Sequence, residues 1–197
     1  MLIKLKKRKK GAKMNKKLSI MILIFMVLSS ITYGLKIGGK ILPDQIKAGE
    51  NTLILNGAGI RKKVIFKVYA GALYLLEKNN NAQTIIQADE PIVVKMHFIY
   101  KSVAPEKLIE AWNSGFSKSD SSNLQEEIAT FNSYFAKDAK KDDIYDIIYV
   151  PEQGTSVYMN TELKGTIQGL EFKKAVFSIW LGEETDLPKL KKAMLGE

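Results

Sequence analysis

Two stretches of the chain alternate apolar and polar side chains with a period of two residues, which is the pattern of a β-strand. The first covers residues 62–76 and predicts one long strand with a buried face and a mixed face. The second, residues 92–101, predicts a half-buried antiparallel strand with His97 on its polar face, where no special role is expected. A short strand at Leu53–Leu55 is predicted to end in a turn over Asn56–Gly59.

Apolar residues at helical spacing follow these strands. Pro105 is predicted to begin one helix, and Ser122 a second helix with a capping box at its start. Two final helices are predicted from the apolar stripes in residues 172–180 and 187–195. Between the two pairs of helices, strands are predicted over residues 144–150, 157–160 and 166–167. This order predicts an α+β fold: a large, mainly antiparallel sheet covered on one side by a layer of helices.

The start of the chain has the organisation of a secretory signal peptide. Lys16 and Lys17 precede an apolar run over residues 18–28, and small or turn-forming residues follow it up to Gly34. A membrane-spanning helix needs about 20 apolar residues, so we expect cleavage, with an uncleaved anchor as the alternative.

These features divide the chain into two parts. We expect a signal peptide over residues 1–34 and one domain over residues 35–197, with Met14 as an alternative start of the protein. The domain is therefore expected to be exported, and to be periplasmic or secreted.

The net charge of +9 would favour a nucleic acid partner only if the positive charges lay on the folded domain. Nine of the 30 lysines and arginines lie in residues 1–34, which contain no acidic residue. The remaining 21 basic residues equal the 21 acidic residues in number, so the domain carries no net charge. We expect no nucleic acid partner, and membrane contact only transiently through the signal peptide.

The chain has no cysteine and one histidine, which excludes disulfides, thiolate chemistry and a lipid anchor on cysteine. A metal site would have to be built from carboxylates, and no cluster suggests one, so neither a metal nor a cofactor is expected. Gly57-Ala58-Gly59 is similar to the start of a dinucleotide-binding fingerprint, but Lys62 occupies the third glycine position. The sequence also lacks the Gly-x-Ser-x-Gly motif of serine hydrolases.

Several short motifs occur in a specific order along the chain. Leu55–Arg61 is followed by Val68–Leu75, and the C-terminal motifs include Gly165–Ile167 and Ile179–Gly182. With these motifs the chain resembles the chalcone isomerase superfamily over residues 37–197, specifically its exported bacterial chalcone isomerase-like branch. The resemblance implies an open-faced sandwich with a ligand cleft between the sheet and the helices.

The resemblance also implies three site residues. Arg61 matches the family arginine that lies in the cleft and faces an anionic oxygen or a carboxylate. Tyr69 matches a tyrosine of the fatty-acid-binding branch, where the isomerases usually have threonine, and Ser178 matches a small hydroxyl residue at the cleft. In an unbroken strand, Arg61 and Tyr69 would lie roughly 26 Å apart, so a shared pocket requires a bend. Without the resemblance, a surface arginine and a core tyrosine are the simpler interpretations.

Two departures from the family pattern weigh against isomerase chemistry. A tyrosine that the isomerases hold just before the Glu106-Lys107 pair is replaced in the segment Val103–Pro105, and a nearby asparagine is replaced by Ala111. Chalcone closure needs groups that stabilise a phenolate and a developing enolate. We therefore expect a protein that binds a small amphipathic carboxylate, such as a fatty acid. The alternatives are an isomerase (intramolecular lyase) of the chalcone type and an envelope structural partner without a ligand.

Overall fold

A computed structural model describes residues 34–197 of the chain. The predicted signal peptide, apart from Gly34, lies outside these described residues. Within residues 34–197, no helix is both long enough and apolar enough to span a membrane.

The fold is built on a large antiparallel sheet. In chain order, strands β1 to β11 span Gly34–Ile37, Lys40–Pro43, Gln45–Ala48, Asn51–Lys63, Phe66–Leu75, Ile92–Phe98, Ser102–Val103, Ala139–Lys140, Ile144–Val150, Gly154–Met159 and Glu162–Ile167. Seven of them form one sheet in the order β11-β10-β9-β6-β5-β4-β3, with every neighbouring pair antiparallel. β1 pairs with β2, and β7 pairs with β8, as separate two-stranded ribbons.

Helices cover one face of this sheet. In chain order, α1 to α5 span Ala82–Gln87, Pro105–Phe116, Gln125–Ser133, Leu170–Leu181 and Pro188–Met194. Their buried residues form one hydrophobic cluster with the side chains of a single sheet face. The predicted α+β class, with a large antiparallel sheet and a helix layer, is confirmed.

Aromatic rings fill much of the core between the sheet and the helices. The rings of Trp112 on α2 and Trp180 on α4 lie 5.6 Å apart, and Trp112 also contacts Phe131 and Phe135. These tilted and edge-on arrangements are the ones that aromatic pairs prefer. They fix α2 and α4 relative to each other and to the sheet.

The opposite face of the sheet carries a smaller core under the β1–β2 ribbon. Leu42 is fully buried there in a cluster with Ala70, Tyr74 and Val93. His97 shares this face, and burial, followed by the charge of nearby Lys40, lowers its pKa.

The predicted single strand over residues 62–76 is wrong. β4 ends at Lys63, the chain turns at Val64 and Ile65, and β5 runs back beside β4. Nothing in the sequence marks this turn, because neither Val64 nor Ile65 is the Gly, Asn, Asp or Pro that usually marks a hairpin. The alternation of apolar and polar residues also continues through it. The two halves of the predicted strand therefore lie side by side.

Two predictions about element ends are also wrong. Asn56–Gly59 is not a turn, because β4 continues through it with a β-bulge between Leu55 and Gly57. Helix α3 begins at Gln125 rather than Ser122, and no side chain caps its first turn, so the capping box does not form.

The glycines after Asn56 allow the C-terminal helix α5 to approach β4. A Cβ atom on Gly57 would lie 2.6 Å from the carbonyl oxygen of Met194 and closer still to that of Ala193, while one on Gly59 would lie 2.7 Å from Ala193 Cβ. The buried Asn56 amide donates to the Met194 carbonyl at 2.9 Å. The segment Asn56–Gly59 therefore forms the surface against which the C-terminal helix packs, and it is not a phosphate-binding loop.

Replacing Gly57 with alanine is expected to lower the free energy of unfolding by about 1–3 kcal/mol, because the new methyl group overlaps backbone atoms of α5. Urea denaturation followed by circular dichroism measures the loss. The control is Thr52→Ser at an exposed position of the same strand, which is expected to change stability by less than about 0.5 kcal/mol. Equal stabilities of the two variants would contradict this account of the glycine.

A buried lysine joins α1 to α4. Lys173 Nζ donates to the carbonyls of Ile85, Ile86 and Ala88 at 2.8, 2.8 and 2.7 Å. These carbonyls lie at the end of α1, where a helix leaves its acceptors without partners within the helix. Burial lowers the pKa of Lys173 to about 8, an effect that the charge of Asp89 opposes.

Candidate ligand-binding site

A cavity of about 560 Å³ lies between the turn end of the β4–β5 hairpin and helices α2 and α4. Its volume is within the range of about 300–1,000 Å³ that is usual for small-molecule sites. Its apolar walls include Val68, Leu108, Ala111, Ile179 and Leu187. The space is therefore suited to a mainly hydrocarbon ligand.

Arg61 and Tyr69 both line this cavity. They lie directly opposite each other on β4 and β5, and the guanidinium carbon of Arg61 lies 5.9 Å from the centre of the Tyr69 ring. The hairpin turn supplies the bend that a shared pocket requires. The structure thus brings these two residues together, and a hairpin replaces the single strand that was predicted to join them.

Arg61 is the only arginine in residues 34–197, which also contain 20 lysines. Among these described residues its side chain forms no ion pair and no hydrogen bond. Asp186 also lines the cavity, but its carboxylate is held by Lys118 and by Ser114. Those contacts, with a smaller effect of Arg61, lower the pKa of Asp186. The planar donor fork of Arg61 is thus available to an anion in the cavity.

Tyr69 supplies a second donor. The indole Nε1 of Trp180 donates to the Tyr69 hydroxyl at 3.0 Å, and in the part of the chain that the structure describes no acceptor takes the hydroxyl proton. Burial raises the pKa of Tyr69, while Arg61 and the hydrogen bond from Trp180 partly offset the shift. The phenol is therefore protonated at neutral pH and able to donate.

One face of α2 forms a wall of the cavity. Leu108, Ala111, Trp112 and Gly115 follow the i, i+3, i+4, i+7 spacing and all line the space. Helical spacing alone would place such a stripe in the core. Ala111 is small where the stripe borders the cavity, whereas Gly115 makes room for Ile179 of α4, whose Cγ1 would lie 2.8 Å from a Cβ atom at position 115.

Trp112, one of the residues of this wall, carries a donor that is unsatisfied within the described part of the chain. Its side chain is buried, and its indole Nε1–H has no hydrogen-bond partner within residues 34–197. A buried donor without a partner is unfavourable.

The structure also locates the two positions at which the family's isomerase pattern is lost. Val103 and Ala104 of the segment 103–105 line the cavity together with Ala111, so apolar side chains stand where the resemblance to the isomerases implies polar ones. The hydroxyls of Ser102 and Ser114 also line the cavity, and they are engaged by Asp138 and Asp186.

Ser178 does not share this cavity. It borders a second, more polar hollow, and its hydroxyl donates to the carbonyl of Lys174 one turn earlier in α4 at 2.7 Å. The next residue, Ile179, lines the main cavity, because one step along a helix rotates the side chain by about 100°. The structure therefore brings Arg61 and Tyr69 together and leaves Ser178 apart.

Residues 34–197 contain no group of three or more His, Asp or Glu side chains arranged to hold a metal ion.

A sequence model of the chalcone isomerase-like family matches residues 34–196. The chain belongs to the chalcone isomerase-like family. Among solved structures, a fatty-acid-binding protein of Arabidopsis thaliana is similar to this chalcone isomerase-like protein, with a TM-score of 0.69. The two chains are 17% identical, and the match covers 83% of this chain and 96% of the plant protein. No curated protein matches the chain. The structural likeness establishes the shared fold.

Proposed function

We propose that this chalcone isomerase-like protein binds an amphipathic carboxylate, such as a long-chain fatty acid. The carboxylate lies against Arg61 and Tyr69, and the hydrocarbon chain lies along α2. The observation that carries the proposal is the unpaired Arg61 beside the buried Tyr69 hydroxyl at an apolar cavity. The structural neighbour that binds a fatty acid supports the same ligand class.

The two parts of the site contribute differently. Each methylene group that leaves water for the apolar walls contributes about 0.8 kcal/mol, so the chain supplies most of the affinity. The charge-assisted contact with Arg61 contributes about 1.5–3 kcal/mol and fixes which end of the ligand enters. The site therefore selects chain length by its volume and selects a carboxylate by its polar end.

The location of the protein is part of the proposal. The basic, apolar and small-residue order of residues 1–34 is that of a secretory signal peptide, so binding is proposed to take place outside the cytoplasm. N-terminal sequencing of the protein from its own cells tests this, with a start near residue 35 expected. A start at Met1 or Met14 in membrane-bound protein would contradict it.

Replacing Ala111 with tryptophan is expected to lower the amount of copurifying fatty acid at least about tenfold, because the indole would fill the space beside α2. Lipids extracted from protein purified under native conditions are identified and counted per chain by mass spectrometry. The control is Ala129→Trp, the same change on the exposed side of α3.

Equal loading of both tryptophan variants would contradict the proposed site. Cyclisation of a hydroxychalcone by the wild-type protein about 10³-fold above the spontaneous rate would favour the isomerase alternative. A copurifying protein in place of a lipid would favour the structural alternative.

A further inference from the structure

The turn of the β4–β5 hairpin exposes a continuous apolar surface. Val64 is 88% exposed, Ile65 is 79% exposed and Phe66 is 52% exposed, and we call residues 62–67 the hairpin tip. Two-residue hairpin turns usually carry Asn, Asp or Gly, which tolerate the left-handed backbone. Val64 adopts this conformation with φ of 57°, which is strained for a β-branched residue. Folding alone therefore does not explain these side chains.

Positive charge surrounds the exposed apolar residues. Lys62, Lys63 and Lys67 belong to the tip, and no acidic residue occurs between positions 51 and 76. Lys62 and Lys67 lie directly opposite each other across the hairpin, where like charges destabilise the pair. Nearby Glu110 is already paired with Lys107 at 2.6 Å. The tip thus combines an apolar apex with a collar of lysines.

This combination fits the surface of an anionic lipid bilayer. Apolar side chains enter the boundary between headgroups and acyl chains, while lysines remain at the level of the anionic headgroups. The tip is a convex projection, which suits a deformable lipid surface better than the groove that a peptide partner would need.

The tip also borders the cavity. Lys63, Val64 and Phe66 line it together with Arg61, and the ring of Phe66 packs edge-on against Tyr100 at 5.5 Å. A membrane that holds the tip therefore lies beside the cavity mouth, where a lipid can pass between bilayer and cavity without crossing water.

We propose that the hairpin tip is a docking element for anionic membranes. The docking proposal depends only on the exposed apolar residues and lysines of the tip. Ligand exchange at the bilayer depends in addition on the proposed fatty-acid binding. Membrane contact then extends beyond the signal peptide, to which the sequence analysis limited it.

The absence of cysteine allows the tip to be probed at a single position. An environment-sensitive fluorophore is attached to an Ile65→Cys variant of the purified protein, and vesicles of phosphatidylcholine with or without phosphatidylglycerol are added. The matched control is Leu163→Cys, which is 50% exposed in β11, an edge strand of the sheet. The signal at position 65 is expected to rise several-fold with the anionic vesicles only, and the signal at position 163 to stay constant.

Charge variants test the lysine collar. Lys62→Gln with Lys67→Gln, made in the Ile65→Cys protein, is expected to weaken vesicle binding roughly 30-fold. It is not expected to reduce stability, because it removes a like-charge pair. Lys47→Gln with Lys192→Gln, two exposed lysines away from the tip, is the matched control and is expected to leave binding unchanged.

An unchanged signal at position 65, or an equal rise at positions 65 and 163, would overturn the proposal. So would an equal rise at position 65 with monomeric fatty acid and no vesicles, since the tip would then belong only to the ligand site. An Arg61→Ala variant that loses fatty acid but keeps the vesicle signal would support docking, which separates it from ligand binding.

Discussion

Replacing Arg61 with alanine is expected to weaken the binding of a long-chain fatty acid by roughly 10- to 150-fold. This range corresponds to the loss of about 1.5–3 kcal/mol from a charge-assisted contact with a desolvated carboxylate. Stability is expected to change little, because Arg61 forms no ion pair or hydrogen bond within residues 34–197. Isothermal titration calorimetry with delipidated protein measures the affinity, and thermal unfolding measures the stability.

Two comparisons make this test specific. Arg61→Lys is expected to recover only part of the affinity, since an ammonium group keeps the charge but lacks the planar fork. A fatty alcohol of the same chain length is expected to bind the wild-type protein and the alanine variant about equally, because it carries no charge for Arg61 to meet. A large fall in melting temperature with unchanged fatty-acid affinity would instead make Arg61 a structural clamp.

Replacing Lys173 with methionine is expected to destabilise the domain by about 3 kcal/mol, because three carbonyls at the end of α1 lose their donor. For a domain of this size, that corresponds to a fall of about 6–12 °C in melting temperature. Methionine keeps an unbranched apolar side chain of similar length, so the change removes the amine and its hydrogen bonds while largely preserving the packing. The control is Lys174→Met, whose partner Glu171 is exposed and whose loss is expected to cost less than about 1 kcal/mol.

The stability difference between the wild type and Lys173→Met is expected to depend on pH, and the direction of this dependence follows from the pKa of Lys173. The pKa of Lys173 is about 8 in the folded chain and about 10.5 in the unfolded chain, so the unfolded state binds more protons between these values. Stability therefore rises with pH in this window, and the advantage of the wild type over Lys173→Met is expected to widen from pH 8 towards pH 10. If this stability difference instead became smaller towards pH 10, the site would stabilise the charged form of the amine.

The sequence predicted the fold class well because the layers of this domain depend on periodicity. The stripe of Leu108, Trp112 and Phe116 on α2 reports which face of the helix is buried. The prediction that β6 is half-buried is wrong, because a second hydrophobic cluster around Val93 and Leu42 covers its other face. The β4–β5 hairpin escaped prediction because its turn lacks turn-forming residues and its two strands share one alternating pattern. That error concerned the most informative place in the chain, since the turn is what brings Arg61 to Tyr69.

The remaining site features depend on contacts that no local pattern reports. Ser178 and Ile179 are equally plausible neighbours of a cleft in the sequence, and only the rotation of α4 decides between them. From the sequence alone, Lys173 would be expected at the surface, whereas in the structure the end of α1 covers it and accepts its hydrogen bonds. Gly57 reads as a turn residue, whereas its role is to admit a helix that follows more than 130 residues later.

The antiparallel register of the β4–β5 hairpin also limits how this protein can vary. Side chains on a strand alternate between faces, so a one-residue slip of the pairing between the turn-distal parts of β4 and β5 would turn Tyr69 away from Arg61. An irregularity between Arg61 and Lys62 separates this pair from the turn, where the register is offset by one residue. Substitutions at the tip leave the register intact. The residue types of the tip are therefore free to vary, whereas the pairing of β4 with β5 holds Arg61 beside Tyr69.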